Sequence, residues 1–305
     1  VVLFDVLFVG VAVVALWFGA EQFVTGASRL ARWLGVPGVV VGLTVVAFGT
    51  SAPEFAVTID AALAGQSDIS VANVVGSNVL NLGFILGGVA LARALTTSLV
   101  FVRRDALLMV GSTALLLALV LDGRLAAVEG AALFGCLVAY LAWLARNASD
   151  DGVAAAPEAA GPLDALRLLG GLALVVGGGH LLVAAAVDIA RTVGISEWAI
   201  GITVVAAGTS LPEFVTSLAA ARRGRTGLSA GNIVGSCIFN VLGVLGLAAV
   251  VRPLTVAPVG VEGTAWLLGV TVLVTVLFYT ETVLSRLEGG LLVALNAANW
   301  ALSLT

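Results

Sequence analysis

Residues 42–55 read Gly-Leu-Thr-Val-Val-Ala-Phe-Gly-Thr-Ser-Ala-Pro-Glu-Phe, and residues 201–214 read Gly-Ile-Thr-Val-Val-Ala-Ala-Gly-Thr-Ser-Leu-Pro-Glu-Phe. Eleven of the fourteen positions are identical, at a constant offset of 159. Each copy sets a carboxylate, Glu54 or Glu213, inside an apolar segment directly after a proline. In a bilayer an ionisable side chain at such a place is costly and marks function by default.

The rest of the chain supports the bilayer setting. Of its 305 residues 60% are hydrophobic and 10% charged, and the mean hydropathy is +1.15. A water-soluble domain needs more polar cover than that. Repeated apolar runs near the ~20 residues that cross the hydrocarbon core indicate an all-α polytopic membrane protein. The strands of a β-barrel would alternate in polarity, and these segments do not. The first run lacks a basic n-region, so it reads as a continuing helix and not as a secretory signal. Cys136 and Cys237 lie in apolar segments and read as small packing residues. The net charge of −4 is small, and nucleic acid is not among the expected partners.

Ten membrane segments are expected near 3–34, 39–63, 70–92, 105–121, 126–145, 163–193, 198–220, 229–251, 263–280 and 288–304. The one long hydrophilic stretch, 147–162, carries Asp150, Asp151, Glu158 and two prolines. It reads as a linker between a first repeat, 1–146, and a second, 163–305. The offset of 159 continues far beyond the motif, taking Asn73 to Asn232, Gly76-Ser77 to Gly235-Ser236, Asn81 to Asn240 and Arg93 to Arg252. The chain is therefore five helices, a linker, and the same five helices again. An odd number of helices per repeat brings the second copy in from the opposite side of the membrane. All fourteen basic residues are arginine, and only Arg124, Arg191 and Arg252 fall on one side of this topology. By the positive-inside rule the side with the other eleven is cytoplasmic, in a cell (inner or plasma) membrane with both termini outside.

Pro53 has no N–H and its ring crowds the carbonyl four residues earlier, so the second helix should break between Ala47 and Pro53. Broken backbone within a membrane survives only where protein or a polar cavity covers it. Thr50 and Glu54 are four apart and share a face, and Thr209 and Glu213 repeat the arrangement. The ensemble offers only oxygen ligands, which suits hard cations such as Ca²⁺ and Na⁺. Asn73, Ser77 and Asn81 form a stripe four residues apart, and Asn232, Ser236 and Asn240 form its copy. Such stripes also serve ordinary interhelical hydrogen bonding, and a lone membrane acid can be structural. Glu21 and His180 stand at equivalent places and could reach the headgroups or line an ion path.

These stretches, with Gly76-Ser77-Asn78 and Asn81, resemble the paired α-repeats of the sodium/calcium exchanger family, within the calcium/cation antiporters. The resemblance covers nearly the whole chain. It implies ten helices in two inverted repeats, with ion sites between helices two, three, seven and eight. By position it implies Glu54 and Glu213 as central ligands shared by Ca²⁺ and Na⁺. Thr50, Ser51, Ser77, Thr209, Ser210 and Ser236 and the carbonyls of Ala47 and Ala206 would complete the sites, with Asn81 and Asn240 flanking them. Some family members carry aspartate at one of these two places. Asparagine at both implies exchange that does not need K⁺. Cys237 departs from the motif, standing where the first repeat has Asn78.

The function so implied is Na⁺/Ca²⁺ antiport by alternating access, with no enzymatic activity, no resident cofactor and no protein partner. A cation/proton antiporter of the same superfamily is the alternative, with the glutamates loading protons. An intramembrane hydrolase using the two acids would need a water path and substrate cleft, and the duplicated hydroxyls favour ions. Inverted repeats with broken helices also favour alternating access over a channel.

Overall fold

The computed structural model describes residues 2–147, 161–192 and 206–303. Residues 148–160 of the expected linker and 201–205 of the second motif copy lie outside the described residues. Ten helical segments follow one another within them: α1 (Val2–Leu34), α2 (Gly38–Thr50 and, after a bend, Ala52–Leu63), α3 (Ser67–Ala92), α4 (Leu99–Phe101, a π-helical turn Val102–Ala106, and Leu107–Val120) and α5 (Ala127–Asn147). The second half gives α6 (Pro162–Thr192), α7 (Ala206–Thr209 and Leu211–Arg222), α8 (Thr226–Val251), α9 (Pro258–Glu281) and α10 (Arg286–Ser303). Six are long and apolar enough to cross a membrane, or seven when the bent pair in α2 counts as one. Among the rest, α4 carries Arg103, Arg104 and Asp105 near its start, and α7 is described only from Ala206. Large apolar side chains such as Leu121, Val128 and Leu287 face outward, a surface fitted to lipid. The protein is an all-α, multi-pass membrane protein.

Several helices start earlier than the hydropathy suggests. Segment α4 starts at Leu99 because the Ser98 hydroxyl accepts the Phe101 N–H at 3.1 Å, capping its first turn. In the charged turn that follows, Arg104 binds Asp105 through Nε and Nη2, at 2.6 and 2.9 Å. The Tyr140 hydroxyl of α5 donates to the same buried carboxylate at 2.8 Å. Segment α9 starts at Pro258, a residue suited to a first turn that has no use for its N–H.

Four two-residue strands, unexpected from the sequence, reveal the handedness of the duplication. They are β1 (Leu95–Thr96), β2 (Arg124–Leu125), β3 (Leu254–Thr255) and β4 (Val283–Leu284). At the offset of 159, β3 is the copy of β1 and β4 the copy of β2. Yet β1 pairs antiparallel with β4, and β2 with β3. Since β1 and β2 lie at opposite ends of α4, each copy sits at the other end of the molecule from its original. The repeats are inverted. Two arginines make the same point: Arg93 donates to the Arg222 carbonyl at 3.2 Å, and its counterpart Arg252 to the Leu63 carbonyl at 3.1 Å. Each caps the C-terminal end of a helix in the other repeat, where cations are favoured.

The apolar interior divides in two. The larger core draws on α2–α5 and α7–α10. A smaller one joins α1 and α6 to Val41 and Val46 of α2, Ala219 and Ala220 of α7 and Leu228 of α8. Within it α1 and α6 touch backbone to backbone: a methyl on Gly26 would stand 2.6 Å from the Leu168 nitrogen. Arg29 of α1 reaches Asp164 of α6 at 3.4 Å and ties the pair together at one end, and Arg167 of α6 steadies the same carboxylate at 3.3 Å.

Candidate functional site

The repeated motif breaks its helix as the proline requires. Segment α2 bends by 49° across Ser51, whose φ of −80° and ψ of 7° leave the helical region. In α7 the backbone likewise leaves the helical region at Ser210, with φ −92° and ψ 7°. Pro53 and Pro212 then enter the first turn of the following helix half, and Glu54 and Glu213 follow them. The new N-terminus points unpaired N–H groups toward the break, a setting that favours a carboxylate.

The two breaks meet at the centre of the molecule. Glu54, Glu213, Thr50, Ser51, Ser210, Ser236, Asn81 and Asn240 are all fully buried, and Ser77 is nearly so. The contacts between repeats are reciprocal. The Ser51 hydroxyl donates to Glu213 Oε1 at 3.1 Å, and the Ser210 hydroxyl donates to Glu54 Oε1 at 3.1 Å. Ser236 adds a third contact, to Glu213 Oε1 at 3.3 Å. The second oxygen of each carboxylate, Oε2, has no hydrogen-bond partner among the described residues. Oxygens of the two acids thus share a buried chamber with hydroxyls and carboxamides.

Around this centre the asparagine stripes brace the broken helices. Asn73 donates to the Thr58 hydroxyl at 2.9 Å, and Asn232 donates to the Ser217 hydroxyl at 2.9 Å. Each also approaches the carbonyl of its own repeat's glutamate at 3.5 Å. One turn earlier, Ser70 and Ser229 donate to the carbonyls of Thr58 and Ser217, at 3.0 and 2.9 Å. Thr58 and Ser217 are equivalent hydroxyls that sequence reasoning passed over, although comparing the repeats at the offset of 159 would have found them. Thr50 donates to Asn232 Oδ1 at 3.1 Å and approaches the Ala47 carbonyl at 3.4 Å. That carbonyl also accepts the Ser51 N–H at 3.0 Å, so both its lone pairs are engaged. Ala206 and Thr209 bound the short helix before the second break, with Thr209 half-buried.

Asn81 and Asn240 differ despite their equivalence. Asn240 donates to Asn78 Oδ1 at 3.0 Å, and Asn78 donates to the Cys237 carbonyl at 3.0 Å. The Asn81 carboxamide has no nitrogen or oxygen partner among the described residues and faces the Cys237 thiol instead. The reason lies at position 237, where a thiol replaces the carboxamide that the symmetric bond would need. Glu21 is held by Arg223, just past the end of α7, which also donates to Thr25, while His180 is exposed. Arg222 stacks over Trp17 of α1 with its guanidinium carbon 5.3 Å from the ring centre. Among the described residues no group of three or more histidine, cysteine or acidic side chains could hold a metal, so any cation here relies on hydroxyls and amides as well as the two acids.

Beside the chamber a cavity of about 920 Å³ runs from Asp68 and Glu262 to Asn73, Ser77 and Ser210. It opens the centre toward the end of the molecule where α3 starts. Close to the α2 break, the Phe48 ring packs against Phe55 edge to face and against Phe239 tilted, with centres 6.2 and 5.9 Å apart.

Known proteins agree with this arrangement. The profile of the family described as sodium/calcium exchanger protein matches residues 4–146 and 164–304. The sodium/calcium exchanger MaX1 of Methanosarcina acetivorans is 30% identical over 92% of this chain and 93% of its own length. The inner membrane protein YrbG of Escherichia coli is 36% identical over 83% of this chain and 81% of its own. A solved structure of the sodium-calcium exchanger NCX_Mj, soaked with zero Na⁺ and Ca²⁺, superposes with a TM-score of 0.90 at 30% identity, covering 100% of both chains.

Proposed function

The chain belongs to the sodium/calcium exchanger protein family, and from that premise we propose that it exchanges Na⁺ for Ca²⁺ by alternating access, with Glu54 and Glu213 as ligands shared by the two ions. Family membership makes it a cation antiporter and not an enzyme; the ion pair and the residues are the proposal. One observation carries it. Each glutamate has one oxygen gripped by a serine of the opposite repeat and the other oxygen free, in a fully buried chamber. Two facing carboxylates repel at the low effective dielectric of an interior, and a divalent cation between them relieves both charges. Hydroxyl, carboxamide and carbonyl oxygens nearby suit Ca²⁺, and several Na⁺ ions could use the same set. Thr50, Ser51, Ser77, Thr209, Ser210, Ser236 and the Ala47 and Ala206 carbonyls complete the proposed set, flanked by Asn81 and Asn240. A cation that draws on the Ala47 carbonyl displaces the Thr50 hydroxyl from it.

Coupling follows from sharing. The carrier changes face loaded with one ion or the other, and never offers both full sets at once. The cavity supports a state open on one side, and the separate core under α1 and α6 supports a pair that slides across the remaining helices. With the arginine-rich side read as cytoplasmic, the cavity opens to the outer face of a cell membrane in this proposal. With asparagine at 81 and 240, only two acids remain in the chamber, which favours exchange without K⁺.

Ca²⁺ uptake into proteoliposomes under a Na⁺ gradient, a pH gradient, or either with K⁺ replaced by choline tests this. Na⁺-driven uptake that ignores K⁺ is expected. Uptake driven only by the pH gradient would instead identify a cation/proton antiporter.

A further inference from the structure

We propose that Cys237 is a positioning residue of the ion site: it leaves the Asn81 carboxamide unanchored, so that Asn81 holds Ca²⁺ less firmly than Asn240 does. This rests on the exchange reading above. The polarity of one relay of hydrogen bonds carries the argument. A backbone carbonyl only accepts, so Asn78, which bonds the Cys237 carbonyl at 3.0 Å, must turn its Nδ2 toward it. Asn78 Oδ1 then faces Asn240, which must answer with its own Nδ2, at 3.0 Å. The Asn240 amide is thereby fixed. The atom left over is its oxygen, buried and without a partner among the described residues.

Around Asn81 the same relay lacks its middle member. The position equivalent to Asn78 holds Cys237, and its thiol meets the Asn81 carboxamide. A thiol is both a weak donor and a weak acceptor, so it receives either end of an amide and selects neither. The two asparagines stand one turn beyond Ser77 and Ser236, and Ser236 donates to Glu213 at 3.3 Å. A buried oxygen without a partner is costly, and a cation held by the glutamates is the partner that exchange supplies. Asn240 brings an oxygen that is already in place. Asn81 must first be ordered, and ordering a side chain subtracts from binding.

Equilibrium binding of radiolabelled Ca²⁺ to the purified full chain tests this, with thermal melting as the check on folding. Cys237→Asn, which installs the residue of the first repeat, should tighten binding about five-fold, the worth of one ordinary hydrogen bond. The gain should vanish in an Asn81→Ala background, because it acts through that side chain. Asn78→Cys, which takes the anchor from Asn240, should weaken binding by a similar factor, and it serves if Cys237→Asn folds poorly. Exchanging the pair, Asn78→Cys with Cys237→Asn, should return the affinity close to that of the unaltered protein, which a packing defect would not do. Unchanged affinity in the folded single variants, or a gain that persists without Asn81, would overturn the proposal. No Ca²⁺ binding by the unaltered protein would instead overturn the exchange reading, and this proposal with it.

Discussion

Gly76 of α3 and Gly235 of α8 occupy equivalent places in the two repeats, and their surroundings are opposite. A methyl on Gly235 would stand 2.8 Å from both Ala47 Cβ and the Leu43 backbone, whereas a methyl on Gly76, which is exposed to the cavity, would meet no neighbouring element within 4 Å. The next residues follow suit: Ser236 donates to Glu213, while Ser77 lines the cavity. In α8 89% of the most apolar stretch is buried, against 67% in α3. Nearly identical sequences in unequal environments are what an inverted repeat shows when one face is open and the other shut. The central chemistry does not share this inequality, since each glutamate is held by the other repeat's serine at the same 3.1 Å. The serine–glutamate contacts between the repeats are symmetric while access to them is not.

The largest effect tests the symmetric part. Glu54→Gln and Glu213→Gln should each lower Na⁺-driven Ca²⁺ flux by on the order of 100-fold or more, because ligand charge sets Ca²⁺ affinity over many decades. Both variants should fold, since glutamine keeps the shape, and thermal melting of the purified proteins checks that. Near-normal flux in one of them would show that the two acids are not equivalent and would end the symmetric account.

The glycine pair tests the asymmetric part. Gly235→Ala should destabilise the protein by about 1–3 kcal/mol, the usual cost of overpacking a close helix contact. Gly76→Ala should change stability by no more than about 0.5 kcal/mol, as at other uncrowded positions. Its cost should appear in turnover, because closing the cavity brings a helix against Gly76. Chemical denaturation and flux separate the two readouts, and equal destabilisation by both variants would contradict the comparison.

How much of this could be read from the chain alone varies with the kind of interaction. The ten helices, their duplication and inversion, and the break at Pro53 followed from composition, offset and proline chemistry. Local rules decide those features. The reciprocal Ser51–Glu213 and Ser210–Glu54 contacts did not follow, because which repeat a hydroxyl faces depends on how two broken helices cross. The strand pairs were missed for a similar reason: two residues are too few to show a period. Glu21 was expected to reach headgroups or line an ion path, yet it pairs with Arg223, some two hundred residues away. No spacing rule links those positions.

That ion pair provides the smallest test. Its counterparts in the other repeat are His180 and Ala64, so the link between α1 and the end of α7 exists at one face only. Both partners are about one-third exposed, and such pairs contribute at most about 1 kcal/mol. Glu21→Gln should therefore raise exposure of the opposite face only about two-fold, measured by labelling of single cysteines. High salt should mimic the variant, and no change in labelling would remove Glu21 from the conformational account.

The central claim is that one buried oxygen set serves both ions in turn. Equilibrium binding of radiolabelled Ca²⁺ to the purified protein, titrated with Na⁺, measures this directly. Na⁺ should displace Ca²⁺ completely and with a Hill coefficient above one, and neither glutamine variant should bind Ca²⁺ at the concentration that saturates the unaltered protein. Ca²⁺ that stays bound at saturating Na⁺ would mean separate sites, and the account of coupling would be wrong.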